Sequence, residues 1–404
     1  MQGYAGVLRN GQFARLWVGQ LASALGDSVR YLALLSLVYG IRGSATDVGL
    51  ALMVTGAATL AAAPLAGLAA DRYSRRRIMA LSAVTRGGLV ALLAAARTLP
   101  QVYAVLFLLA LAQQFFNPAL NAFVPNLLEK ELLVSANSLL ALTFKGVSMV
   151  GPAIGGLMVA RWGAASAFHT SALTYLVLAL CILSIREPGG RPAVAPLPGR
   201  PGMREYRESI DYIRATPLVS FVVVQAIVAS LAGGAIDTLT VKFADTVLGV
   251  GAAGFGAILS CKSVGFVLGL GVLELLRPRL PRSTLLPGAL MLVGLGIVAF
   301  GLNAWYALAL ALSLVDGLGN SIANILSRVV LQDSVPDHLR GKVMATNYVL
   351  FSMAALLSAG VGGVLAEQVG LRPVFVCCGL LVGAFGLYGR RALRPRVEPA
   401  GSAA

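Results

Sequence analysis

The chain is written almost entirely in apolar runs long enough to cross a lipid bilayer. A crossing needs roughly 20 mostly apolar residues. Twelve such runs occupy Phe13–Tyr39, Thr46–Ala69, Ile78–Ala96, Val102–Val124, Leu133–Ala160, Ala164–Ile185, Pro217–Val247, Ala252–Leu276, Ser283–Leu302, Trp305–Leu331, Leu339–Ala366 and Leu371–Gly389. Lipid offers the backbone no hydrogen-bond partners, so runs of this length must be helices. The expected fold is an all-α membrane protein of twelve transmembrane helices. Composition agrees: 57% of residues are hydrophobic and 12% charged, against about 25% charged in a soluble domain. Met1 to Asn10 lacks the apolar core and small-residue cleavage site of a signal peptide, so the first span is expected to direct its own insertion.

Charge placement then predicts orientation. Of 32 lysines and arginines, six lie deep within the spans; of those in loops and at span ends, four (Arg42, Arg97, Arg161 and Arg372) fall on one side. The remaining 22 fall on the other, among them Arg9, Arg15, the Arg72–Arg77 cluster, Arg277, Arg279, Arg282, Arg340 and Lys342. By the positive-inside rule both termini are cytoplasmic, in a multi-pass protein of the inner (cytoplasmic) membrane. The net charge of +15 thus reads as a topology signal with affinity for anionic lipid headgroups, not as a nucleic-acid footprint. The long polar stretch 186–215 separates an N-terminal half, 1–185, from a C-terminal half and tail, 216–404. Its second part, Glu205 to Arg214, is suited to a short amphipathic helix.

The halves repeat at an offset of 207 residues: Gly155-Gly156 falls on Gly362-Gly363, Gly163 on Gly370, Phe168 on Phe375, Gln113 on Asn320, Asn117 on Asn324, and Arg72 and Arg75 on Arg279 and Arg282. Duplicated halves are typical of transporters, whose substrate site lies near the bilayer midplane at the repeat interface.

A charge at mid-depth costs about 2.5 kcal/mol or more, so it must face protein or a wet cavity. The basic residues within spans are Arg30, Arg86, Lys145, Lys242, Lys262 and Arg328; the deepest acids are Asp27, Asp237 and Asp316. Gln20, Ser23, Asp27 and Arg30 share one face of the first span. Gln113, Asn117 and Asn121 recur every four residues in the fourth, as do Asp316, Asn320, Asn324 and Arg328 in the tenth. These stripes predict either interhelical hydrogen bonds or a shared polar cavity lined by Arg30, Asn117, Asn121, Lys145, Lys262, Asp316, Asn320 and Asn324. Asp27 is three residues from Arg30 and can pair with it, or it can exchange a proton; Asp237 is a second coupling candidate. Lys145 and Lys262 can bind an anion or pair with a buried aspartate. The mildly positive balance within the spans hints at an anionic or zwitterionic amphiphile. Cys181, Cys261, Cys377 and Cys378 sit in apolar runs and read as buried small hydrophobes. His169 and His338 are too far apart in sequence for ordinary metal-ligand spacing. No metal, cofactor or catalytic residue is expected, and no phosphate-binding glycine loop of the Walker type is present.

Gly67-Leu68-Ala69-Ala70-Asp71-Arg72-Tyr73-Ser74-Arg75-Arg76-Arg77 resembles the signature loop of the major facilitator superfamily, Gly-x-x-x-Asp-Arg-x-Gly-Arg-Arg, with Ser74 in place of the second glycine. Gly151-Pro152-Ala153-Ile154-Gly155-Gly156 resembles the Gly-Pro-x-x-Gly-Gly motif of its antiporters. Phe13-Ala14-Arg15-Leu16-Trp17, Leu25-Gly26-Asp27, Asn117-Pro118-Ala119, Ala136-Asn137-Ser138 and Leu339-Arg340-Gly341-Lys342-Val343 look like the efflux branch that includes macrolide and siderophore exporters. The resemblance implies the major facilitator fold, with two pseudo-symmetric six-helix bundles. It implies a monomer that exports a drug, macrolide or siderophore-like molecule by alternating access, coupled to protons. Lysophospholipid transporters share several of these features, so a flippase is the alternative; a membrane-embedded lipid enzyme is a remote one. Gly67, Asp71, Arg72, Arg75, Arg76, Gly151, Pro152, Gly155 and Gly156 would then serve gating. Asp71 would face the region from Asp337 to Arg340.

Overall fold

A computed structural model describes residues 4–42, 44–186 and 203–393. All regular structure there is helical: α1 (Tyr4–Arg9), α2 (Gly11–Arg42), α3 (Ala45–Arg72), α4 (Arg75–Leu93), α5 (Leu99–Leu127), α6 (Leu133–Ser184), α7 (Met203–Ala215), α8 (Pro217–Thr246), α9 (Gly251–Leu276), α10 (Arg282–Leu302), α11 (Tyr306–Ser334), α12 (Asp337–Val369) and α13 (Leu371–Ala392), with one 3-10 turn at Lys130–Leu132. Ten helices are long and apolar enough to span a membrane, and α6, at 52 residues, is long enough to do so twice. With α4, whose four arginines dilute its hydropathy, they make the expected twelve crossings. The amphipathic helix expected in the linker is α7; linker residues 187–202 lie outside the described residues.

Local chemistry explains the helix ends. Ser74 occupies the position of the motif's second glycine and accepts a hydrogen bond from the Arg77 amide at 3.3 Å, capping α4. At the start of α5 the Gln101 carboxamide oxygen accepts from the Arg97 and Thr98 amides at 3.0 and 3.3 Å. The two apolar runs Leu133–Ala160 and Ala164–Ile185 join without a loop. A single residue, Gly163, breaks α6 with φ 77° and ψ 168°. Its repeat mate Gly370, with φ 90° and ψ 165°, sits between α12 and α13. Only glycine adopts this backbone region readily. A Cβ on Gly163 would meet nothing within 4 Å, so replacing it isolates the backbone term. Gly163→Ala should lower stability by about 1–3 kcal/mol, read by thermal unfolding in detergent; an unchanged unfolding midpoint would contradict the assigned conformation.

The described residues form two compact units. The first contains 4–186 together with Asp237–Ser260 and Ala359–Glu367. Within it α2 packs along α6, α4 against α5 and α6, and α3 against α5. The second contains 203–236, Cys261–Ser358 and 368–393, and in it α10 packs against α11 and α13.

The repeat is visible atom by atom inside the first unit. A Cβ on Gly49 would overlap the Ala359 carbonyl oxygen, 3.0 Å from its carbon and 3.2 Å from Gly360 Cα. A Cβ on Gly256 would overlap the Pro152 carbonyl oxygen, 3.0 Å from its carbon and 3.2 Å from Gly156 Cα. Adding the offset of 207 to Gly49 and Pro152 yields Gly256 and Ala359, so the two contacts are copies. Likewise Gly156 approaches Ala252 and Ala253 as Gly363 approaches Ala45 and Thr46. The Gly-Pro-x-x-Gly-Gly segment therefore takes part in two close contacts. Gly156 and the Pro152 carbonyl face the start of α9, while Gly151 and Gly155 face α2.

Candidate functional site

The deepest charges of the first unit meet around one carboxylate. Arg30 Nη2 donates to Asp27 Oδ1 at 3.1 Å, one helical turn along α2. Arg86 Nη2, from α4, donates to Asp27 Oδ2 at 3.0 Å and to the Tyr175 hydroxyl, from α6, at 2.7 Å. The Tyr175 hydroxyl in turn donates to Asp27 Oδ1. The Arg86 guanidinium carbon stands 4.2 Å from the Tyr175 ring centroid and 5.7 Å from that of Phe116 on α5, so aromatic faces replace water on its flat sides. Arg86 is 2% exposed; the side chains of Arg30 and Asp27 are 18% and 35% exposed.

Glycines bring the backbones close enough for this. A Cβ on Gly26 would overlap the Thr174 hydroxyl and lie 3.3 Å from Ser171 Cα, which seats α2 beside the turn of α6 carrying Tyr175. Between Asp27 and Arg30, Ser28 and Val29 receive Gly151 and Gly155: a Cβ on Gly151 would come within 2.6 Å of Ser28 Cβ, and one on Gly155 within 3.0 Å of Val29 Cα. The Gly-Pro-x-x-Gly-Gly segment and the charged face of α2 are one piece of packing.

The second unit holds a simpler cluster. Lys262 Nζ on α9 lies 3.2 Å from Asp316 Oδ2 on α11. Asn320 Nδ2 donates to Asp316 Oδ1 and to its carbonyl oxygen, both at 2.9 Å.

The structure thus brings together Asp27 with Arg30, and Lys262 with Asp316 and Asn320. Gln113 and Asn117 bond to each other at 3.4 Å on α5. Asn117, Asn121, Lys145, Asp237 and Asn324 are exposed. Polar groups at mid-helix are too costly to face hydrocarbon, so these side chains must turn to protein, water or a polar ligand. Arg86 and Tyr175 are the site residues that sequence reasoning missed. Arg86 stood among the in-span charges, but helical spacing along α4 cannot name a partner on α2. Tyr175 carried no signal beyond being a hydroxyl in an apolar run. Of the cysteines, none is in a disulfide; Cys377 is exposed rather than buried, and the others are part-buried. An outward-facing thiol on an apolar helix suits a lipid-facing surface. Among the described residues no three metal-ligating side chains cluster.

Arginines secure the helix ends where the signature loop lies. Arg75 donates to the Ala122 carbonyl at 2.8 Å, and Arg76 to those of Ile182, at 3.3 Å, and Leu183. Arg15 donates to the Ser184 carbonyl at 2.8 Å. Cations at the C-terminal ends of α5 and α6 complement the helix dipoles. Arg72 is exposed. The side chains of Gly67, Asp71, Asp337 and His338 lie outside the described residues, and with them the expected contact of Asp71.

Fold and sites together define a multi-pass membrane transporter of the major facilitator superfamily. Over residues 3–402 the chain matches the family described as transmembrane secretion effector, and it belongs to that family. It is 25% identical over 398 residues to the MFS-type transporter YfiS of Bacillus subtilis (strain 168), covering 94% of each chain. It is 27% identical over 381 residues to the enterobactin exporter EntS of Escherichia coli O6:K15:H31 (strain 536 / UPEC), covering 89% of this chain and 88% of the other. Two solved structures share the fold. A bacterial homologue of the human lysosomal transporter Spinster, inward-facing and unoccupied, superposes with a TM-score of 0.75 at 15% identity, over 95% of this chain and 97% of the other. An inward-facing bacterial homologue of the iron transporter ferroportin superposes with a TM-score of 0.74 at 14% identity, over 94% and 98%.

Proposed function

We propose that this protein exports an amphipathic small molecule bearing an anionic oxygen, of siderophore type, in exchange for protons and by alternating access of its two six-helix halves. The halves are 1–185 and 216–404, joined by 186–215. The protein acts as a monomer in the inner membrane, with both termini cytoplasmic and basic loops against anionic lipid. The observation that carries the substrate class is the charge surplus at Asp27. Two guanidiniums share one carboxylate, so the cluster keeps one net positive charge. Arg86 is sealed by aromatic rings; Arg30 is the partner with room to turn toward a ligand. Asn117, Asn121, Lys145 and Asn324 offer further polar contacts, Arg72, Arg75 and Arg76 hold helix ends during gating, and Gly67, Asp71, Gly151, Pro152, Gly155 and Gly156 set the close approaches that gating changes. The similarity to an enterobactin exporter supports export of this kind.

The test uses inverted membrane vesicles and enterobactin as probe. Uptake should follow the pH gradient and stop when it is collapsed. Arg30→Gln should weaken binding of the probe to purified protein about tenfold or more, the scale of one lost hydrogen bond to a charged group, about 1.5–3 kcal/mol. Binding of ethidium in place of enterobactin, or transport of lysophosphatidylglycerol with no response to the gradient, would overturn the reading.

A further inference from the structure

We infer that the ion pair Lys262–Asp316 is the proton-exchange site of this transporter, and that Asp27 is not. The inference rests on the proton-coupled reading above and assigns it to named atoms.

The two part-buried carboxylates with described cationic partners inside the spans differ in what protonation would leave behind. Asp27 holds two guanidiniums, and arginine does not give up its proton in proteins. A proton on Asp27 would strand two permanent cations, one of them 2% exposed, with only Tyr175 and water to compensate. The Asp27 cluster therefore keeps a fixed charge. Asp316 holds one ammonium, 3.2 Å from Oδ2. When hydronium passes a proton to Oδ2, its own O–H bond breaks and leaves water, a new O–H bond forms on the carboxyl, the Nζ–Oδ2 ion pair opens, Asn320 still donates to Oδ1, and the Lys262 ammonium is released from Asp316. Loss of that proton restores a neutral pair. The site toggles by one charge at the least cost among the carboxylates with described cationic partners inside the spans.

Geometry supports a site held for this purpose. A Cβ on Gly317, next to Asp316, would overlap the Lys262 carbonyl oxygen and lie 2.8 Å from the Phe266 amide nitrogen. A Cβ on Gly265 would overlap the Leu314 carbonyl oxygen and lie 2.9 Å from Leu314 Cα. The backbones of α9 and α11 thus touch on both sides of the pair, which sets its spacing. The side chains of Lys262 and Asp316 are 35% and 14% exposed, so a proton can reach them. The titratable or charged neighbours along the two helices are Cys261, adjacent to Lys262, Glu274 toward the far end of α9, and Tyr306, Arg328 and Asp333, several turns along α11 from Asp316. From α10, Ala289 and Val293 pack at Gly319 and bring no titratable group.

The assay needs no substrate. Purified full-length protein in liposomes is adsorbed to a solid-supported membrane, and the current that follows a pH jump is recorded. Wild type should give a transient current. Asp316→Asn should reduce it to background, and Asp316→Glu should retain it with a shifted pH midpoint, which separates loss of the acid from misfolding. Asp333→Asn, which removes an exposed ion pair with Arg282 on the same helix, should retain it. A current in Asp316→Asn close to wild type, or one lost in Asp27→Asn alone, would overturn the assignment. No current in wild type would instead overturn the proton-coupled reading itself.

Discussion

Arg86→Met is expected to be among the most damaging single changes in the chain. It removes three hydrogen bonds, two of which form the ion pair with Asp27, from a side chain that is 2% exposed. Breaking a buried pair by deleting one partner costs about 3–5 kcal/mol. The lower end applies, because Asp27 retains Arg30 at 3.1 Å and a side-chain exposure of 35%. Asp27→Asn alone should cost at least as much, since it leaves two cations. The double variant should be more stable than the sum of the singles implies, because a cationic partner and the carboxylate leave together. Unfolding of the four proteins by denaturant in micelles measures the coupling. Strictly additive losses would show that the cluster is not the interacting unit described.

Gly49→Val and Gly256→Val should each disrupt the same kind of contact at two places. In both, the new Cβ would overlap a carbonyl oxygen of the facing helix and meet backbone atoms at 3.0 and 3.2 Å. Backbone cannot rotate away as a side chain can, so the helices must separate. Overpacking of this kind costs about 1–3 kcal/mol. Because α3 and α9 are repeat mates, the two variants should have similar effects on stability and on transport. Separation can be followed in a cysteine-free background with cysteines at Ser44 and Glu367, whose side chains hydrogen-bond at 2.5 Å. A short bismaleimide should bridge them in the parent and bridge them poorly in Gly49→Val. Full cross-linking with unchanged stability would remove the case for these glycines.

Much of the fold was legible because bilayer chemistry leaves few alternatives. Apolar run length predicted the crossings, and the repeat at 207 paired Gly163 with Gly370 and Gly156 with Gly363, though not Gly49 with Gly256. Legibility of the site stopped where partners come from different helices. Asp27–Arg30 could be read, being three residues apart on one helix. Lys262 had three candidate aspartates, and only the packing of α9 on α11 selected Asp316. Arg86 and Tyr175 meet Asp27 through three-dimensional crossings that no periodicity encodes. The family motif flagged Gly151 and Gly155, but not that they receive the α2 backbone between the two charges. Ser74 read as a departure from the motif; its hydroxyl caps α4.

The connections opposite the basic ends are very short. Residues 43–44, 94–98, 163, 247–250, 303–305 and 370 are all that separate successive helices there. Among the described residues, none of these connections is long enough to fold over its neighbouring helices as a plug. Any selectivity at these helix ends must then be cut into the helices themselves. An antibody fragment raised against one of these connections would have to grip helix ends as well as loop.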